Sequence, residues 1–105
     1  MGAKYKRIRK VSMIQSNPDI SIIIINYNGS KFLKKLIKSI AMQTYKQFEV
    51  IFLDNNSRDK SPLYFDEYIK KCHLEKITQK ILLHENVGFA KGNNIAVSHA
   101  LGKYL

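Results

Sequence analysis

Three short polar clusters are the parts of this chain that could do chemistry: Asn26-Tyr27-Asn28-Gly29, Asp54-Asn55-Asn56-Ser57, and His84-Glu85-Asn86 running into Gly88. An aromatic ring such as Tyr27, set among short amides, offers a platform on which a planar base can stack. A carboxylate such as Asp54 can accept a proton from a base edge or a ribose hydroxyl. Helix N-termini that follow such clusters can approach phosphates. Turn geometry alone also favours Asn, Asp and Gly, so any one cluster carries little weight. Three of them along one edge of a sheet would carry much more.

Other chemistries find less support. Cys72 and His73 are adjacent with no second pair at metal-ligand spacing, which disfavours zinc. His84 and His99 stand alone, and no Ser-His-Asp order comes with an elbow motif. Gly88-Phe89-Ala90-Lys91-Gly92 is neither a phosphate-binding P-loop nor a dinucleotide fingerprint.

The elements that must position these clusters follow from apolar patterning. Ile22-Ile23-Ile24-Ile25 is β-branched, does not alternate, and stops at turn formers, which describes a strand buried on both faces in a parallel sheet. The pattern predicts strands over 20–26, 48–53 and 81–84. It predicts a helix from an N-cap at Ser30 to Gln43-Thr44, one from a cap at Ser61 with Pro62 in its first turn to Lys71, and one over 89–100 stopped by Gly102. Lys103-Tyr104-Leu105 reads as the start of a further strand. The alternation β-α-β-α-β-α implies right-handed crossovers and a parallel sheet with strand order 3-2-1. In the third helix Ala90, Asn94, Val97 and Leu101 share a stripe, which would turn the Asn94 amide toward the packed side; there it would either bond nearby loop backbone or hold a nucleotide loop in place.

At 105 residues the chain is one small domain, and its single cysteine excludes an internal disulfide. No apolar run approaches the length of a membrane-spanning helix. The net charge of +10 is unevenly placed: residues 1–48 hold ten Lys or Arg against Asp19 alone, whereas residues 49–105 hold eight against seven acids. The excess lies on an N-terminal arm, 1–18, expected to be poorly ordered, and on the helix bearing Lys31, Lys34, Lys35 and Lys38. Such a patch suits an anionic membrane surface, a diphosphate or nucleic acid, or only a solvated face. The lack of aromatic interleaving or a recognition motif argues against nucleic acid.

Taken together, Ile22–Gly29, Ser39-Ile40 with Gln43-Thr44-Tyr45, Phe48-Glu49-Val50 running to Asp54-Asn55-Asn56-Ser57 and Asp59, and Glu85-Asn86-Val87-Gly88-Phe89-Ala90 with Gly92-Asn93-Asn94 resemble glycosyltransferase family 2, with the flavour of its rhamnosyltransferase-like branch. The resemblance covers about 20–105. It implies an α/β, three-layer, Rossmann-like GT-A fold, with 19–105 as the nucleotide-sugar-binding half. It also implies inverting transfer of a sugar from a nucleotide donor to a cell-surface glycan or lipid-linked acceptor, in a cytoplasmic protein, peripheral at the inner membrane face. By that similarity the donor site comprises Asn26, Tyr27 (base pocket), Asn28, Asp54 (base contact), Asn56, Asp59 (loop support), and Gly88 and Asn94 (diphosphate-side wall). The family's D-x-D-type motif, which holds a divalent metal (Mg or Mn), its general base and its acceptor site would all fall after Leu105. The chain alone is therefore expected to transfer no sugar. The rival expectations are a non-catalytic nucleotide-binding or interaction module and a basic nucleic-acid-binding domain.

Overall fold

The computed structural model describes residues 5–7 and 18–105. Along the chain lie β1 (Tyr5–Arg7), β2 (Ile20–Asn26), α1 (Ser30–Ala41), β3 (Phe48–Asp54), α2 (Ser61–Lys71), a 3-10 turn (Glu75–Ile77), β4 (Thr78–Leu83) and α3 (Phe89–Ser98). The isoleucine run and Phe48–Asp54 pair in parallel, from Ile20 opposite Phe48 to Asn26 opposite Asp54. β4 joins the other side of β3, also in parallel. The sheet order is β1-β4-β3-β2, so the expected strands occupy the expected 3-2-1 arrangement.

β1 is an addition with no local sign in the sequence: it covers the outer edge of β4, antiparallel, with Tyr5 opposite Leu83. It falls inside the arm expected to be poorly ordered; the rest of that arm, apart from Pro18, lies outside the described residues.

After α3 the chain returns to the far side of β2. Tyr104 bridges Ile20 in parallel, its carbonyl accepting from the Ser21 amide at 2.8 Å and its amide donating to Asp19 O at 2.9 Å. The strand order therefore reverses at β2. In open α/β sheets the crevice outside the carboxyl ends at such a reversal is where ligands bind.

Both sheet faces are covered, which explains why β2 and β3 do not alternate in polarity. Even-numbered residues of β2 and β3 (Ile24, Val50, Phe52) pack against Leu33, Ile37 and Ile40 of α1 and Phe65 and Ile69 of α2. Phe52 stacks on Phe65 with centroids 3.8 Å apart. Odd-numbered residues (Ile51, Leu53, with Ile81 and Leu83 of β4) pack against Ala96 and Ile95 of α3.

Several expectations need correction. α1 ends at Ala41, not near Thr44. Leu36, which helical spacing places on one stripe with Leu33, Ile37 and Ile40, is 39% exposed. β4 begins at Thr78 rather than Ile81, because Thr78, Gln79 and Lys80 are polar yet buried. Their partners are tertiary: Thr78 Oγ1 donates to Leu74 O, Gln79 Nε2 to His99 O, and Lys80 Nζ to Asp66 at 2.8 Å. α3 also sits in a different rotational phase from the expected stripe. Gly92 and Ala96 are its buried residues, while Asn94, Ala90 and Leu101 are exposed. Small residues let the helix approach the sheet closely, and they carry little hydrophobic signal.

The amino end of the sheet is closed by a buried carboxylate. Glu49, fully buried, accepts from Ser21 Oγ at 2.6 Å and from the Leu101 amide at 2.7 Å. Ser21 Oγ in turn accepts from the Gly102 amide at 2.8 Å. A Cβ on Gly102 would lie 2.6 Å from Ser21 N, so this close approach requires glycine.

Candidate functional site

At the opposite, carboxyl end, the loops after β2 and β3 are built into one hydrogen-bonded wall, and Asn26 and Asp54 are its centre. Each is only 4% exposed. Asn26 Nδ2 donates to Asp54 Oδ1 at 2.8 Å and Ser61 Oγ at 2.7 Å, with Ser57 Oγ at 3.2 Å. Asp54 also accepts the Ser57 hydroxyl on Oδ1 at 2.6 Å and the Ser57 amide on Oδ2 at 2.8 Å.

The proton directions are consistent throughout. The Ser57 hydroxyl donates to Asp54, and the Ser61 hydroxyl donates to Asp59. Each serine oxygen is thereby left as an acceptor for the Asn26 amide. Ser57 Oγ accepts from the Asn28 amide as well, at 2.8 Å. Gly29 fits because it lacks a Cβ, which would stand 2.4 Å from Asn26 Oδ1.

Asp59 ties two helices to this wall. Its Oδ2 accepts the Ser30 amide at 3.3 Å and its Oδ1 the Ser61 amide at 2.9 Å, the first residues of α1 and α2. Neither Ser30 nor Ser61 is the cap that the sequence suggests. Gly29 and Lys60 occupy the cap positions without a side-chain bond, and Asp59 satisfies one orphan amide of each helix. Burial works to raise the Asp59 pKa, but the donors from Ser61 and Ser30 outweigh it and hold the carboxyl below its ordinary value.

Asn28 and Asn56 both stand two residues beyond the end of a strand, and both adopt left-handed backbone, with φ of 51° and 62°. Asparagine tolerates this region through local hydrogen bonding. Asn28 uses its side chain so: Oδ1 accepts from the Arg58 amide at 2.8 Å. Asn56 is exposed.

The third loop is held from the other sheet face. Asn55, buried, accepts the Val87 amide on Oδ1 at 2.9 Å and donates through Nδ2 to Gly88 O at 3.0 Å. Gly88, with φ of 83°, makes the turn into α3.

Tyr27, next to Asn28 in the loop after β2, has half its surface open. Hydrogen bonds thus link Asn26, Asn28, Asp54 and Asp59, and Asn55, next to Asp54, holds Gly88, while Tyr27 and Asn56 are exposed on the same two loops. Asn94 stands exposed on α3, contrary to the expected inward orientation. Gly29, Asn55, Ser57 and Ser61 were not among the expected site residues. The alternation of the strand was the available signal for Asn55, since it must face opposite to Asp54.

Among the described residues no three of His, Cys, Asp or Glu come together to hold a metal ion. Asp54 and Asp59 are already committed to protein donors, so the residues present do not fit a divalent metal. Among the described residues, no helix is long and apolar enough to cross a membrane.

A parallel sheet in this order, reversing at β2 and carrying polar loops at its carboxyl edge, defines the Rossmann-like first half of the GT-A fold. Solved structures agree. S. aureus TarS (residues 1–349) in complex with UDP-GlcNAc superposes with a TM-score of 0.72 at 28% identity, over 83% of this chain and 25% of that one. A Pyrobaculum calidifontis mannosyltransferase in complex with GDP-Man and Mn2+ superposes at 0.73 with 24% identity, over 82% and 25%.

The family model for glycosyl transferase family 2 matches residues 21–105, and the chain belongs to that family. An uncharacterized glycosyltransferase of Rickettsia prowazekii is 34% identical over 89 residues, 84% of this chain and 26% of that protein. Glycosyltransferase GlyG of Streptococcus pneumoniae is 31% identical over 87 residues, 82% and 28% respectively. The chain spans about a quarter of the length of these two relatives.

Proposed function

We propose that residues 19–105 bind the nucleotide-diphospho-sugar donor of an inverting glycosyltransferase. The observation that carries this reading is the single wall formed by Asn26, Asp54, Ser57, Asp59 and Ser61 beneath an exposed Tyr27, at the reversal of the sheet. Tyr27 stacks on the base. Asp54 shapes the base pocket, Asn28 and Asn56 line it, and Asp59 fixes its loop. Gly88 and Asn94 border the diphosphate. The UDP-GlcNAc complex of TarS supports a nucleotide-sugar ligand for a domain of this shape.

In the same proposal an acceptor hydroxyl of a glycan or lipid-linked chain, deprotonated by a carboxylate, displaces the nucleotide diphosphate at the sugar carbon. A divalent metal, Mg or Mn, is part of the whole enzyme, with ligands other than the residues described here. The protein is cytoplasmic, and the lysine face of α1 brings it against the inner face of a membrane. The 105-residue chain by itself binds nucleotide and does not transfer sugar.

Calorimetric titration with UDP, GDP and their sugar conjugates tests the donor reading. Tyr27→Ala should weaken binding by about 1–3 kcal/mol, the range for stacking of a base on an aromatic ring. Equal affinity in the variant would remove Tyr27 from the site. Turnover of a nucleotide-sugar to a glycosylated acceptor by the pure chain would overturn the division of labour.

A further inference from the structure

We propose that α1 docks the protein on an anionic lipid bilayer by two means at once: its lysines meet the headgroups while Phe32, Leu36 and Met42 enter the acyl boundary. This deepens the membrane contact in the function proposed above and rests on it, though not on donor binding.

The helix carries Lys31, Lys34, Lys35 and Lys38 and no acid, and all four lysines are exposed. No ion pair among the described residues involves them; the one found is Lys80 with Asp66. Leu33, Ile37 and Ile40 already serve the core. Three further apolar side chains have no such use. Phe32 is 72% exposed, Leu36 39%, and Met42, at the C-cap, 72%. At 3.6 residues per turn Phe32 and Leu36 stack one turn apart beside Lys31 and Lys35, and Met42 falls on the lysine side. A cationic helix face with protruding Phe and Leu is the make-up of an interfacial helix.

A bilayer is the occupant that this chemistry fits. Four unpaired cations call for a surface of dense negative charge. Protruding apolar groups flanking that charge suit a medium that needs no shaped recess. The groove lined by Phe65, Ile69 and Thr78 lies between α2 and β4, on other elements. α1 also follows directly from the Tyr27–Gly29 loop, so docking would hold the carboxyl-edge wall at a fixed height over the membrane.

The test is vesicle sedimentation of the full chain, without nucleotide, on phosphatidylcholine alone and with about 30% phosphatidylglycerol added. Binding should require the anionic lipid. Changing all four lysines to glutamine should lower it about six-hundredfold at low salt, at roughly fivefold per charge. Phe32→Ser with Leu36→Ser should lower it about tenfold at physiological salt, where charge attraction is screened. The chain has no tryptophan, so Phe32→Trp supplies a lone reporter whose emission should shift to the blue on anionic vesicles. Equal binding to uncharged vesicles, unshifted emission, or an apolar double variant that binds like the parent would overturn the proposal. So would capture by a soluble acidic polypeptide with no vesicle binding. Failure of nucleotide to bind would leave these outcomes unaffected.

Discussion

Asn26→Asp is the smallest change that should break the wall at the carboxyl edge. It replaces a nearly isosteric NH2 donor with an oxygen facing Asp54 Oδ1, now 2.8 Å away, in a site where both residues are 4% exposed. Two costs follow. The hydrogen bond to a charged acceptor is lost, about 1.5–3 kcal/mol. Two carboxylates at that separation repel by about 6 kcal/mol at an effective dielectric of 20. The pair can escape most of the repulsion by sharing one proton, so the net loss at pH 7 should be about 3–5 kcal/mol, a large part of the roughly 5–13 kcal/mol available to a domain of this size.

The shared proton fixes the sign of the pH dependence. A carboxyl whose folded pKa is raised stabilises the fold below that pKa and loses the effect as pH rises. The variant should therefore approach the parent at pH 5 and fall away from it at pH 7.5. Urea unfolding at both values, with the slope on denaturant checked for constancy, reads this directly. A variant within 0.5 kcal/mol of the parent at about pH 7.5, or one whose deficit does not change with pH, would mean that Asn26 does not donate to Asp54.

Gly29→Ala should cost about 1–3 kcal/mol in thermal or urea unfolding, since its Cβ would press on Asn26 Oδ1 from 2.4 Å; an unchanged midpoint would show that the loop gives way freely. Glu49→Gln presents an NH2 to a site that already holds the Ser21 hydroxyl and the Leu101 amide as donors, and should cost about 2 kcal/mol with little effect on nucleotide binding. Asp59 has a lowered folded pKa, so its contribution to stability is present above about pH 4 and disappears as the pH falls through the folded value. Asp59→Asn should lower stability at pH 7 and flatten the acid limb of the unfolding curve, and an acid limb identical to that of the parent would exclude the carboxyl from the contact with the two helices.

What the sequence disclosed was the part governed by local physics. Ile20–Asn26 and Phe48–Asp54 declared themselves because a strand covered on both faces must be apolar without alternation. The lysine face of α1 followed from helical period alone. What stayed hidden depends on partners far along the chain. β1 exists only against β4, more than seventy residues away. Thr78, Gln79 and Lys80 look unlike a buried strand until His99 and Asp66 are in place. Asp54 has the chemistry of a ligand contact, yet its oxygens first order Ser57 and Asn26. The phase of α3 is hidden because glycine and alanine make its contact with the sheet, and their small size registers weakly in any apolar count.

The lock at the amino end of the sheet also bears on how the chain assembles as it is made. Ser21, among the first strand residues to be synthesised, takes its last partner from Gly102, 81 positions later. Contacts of such separation are slow to form, because the loop they close must lose its freedom first. Until Leu101 has left the ribosome, the Glu49 carboxylate lacks the backbone donor that completes its shell. The hydrophobic middle of the sheet can gather before then, but with a buried charge short of a partner and the β2 edge bare. A nascent chain paused before this point should remain open to proteases, and should become resistant only once Leu101 and Gly102 have cleared the exit tunnel.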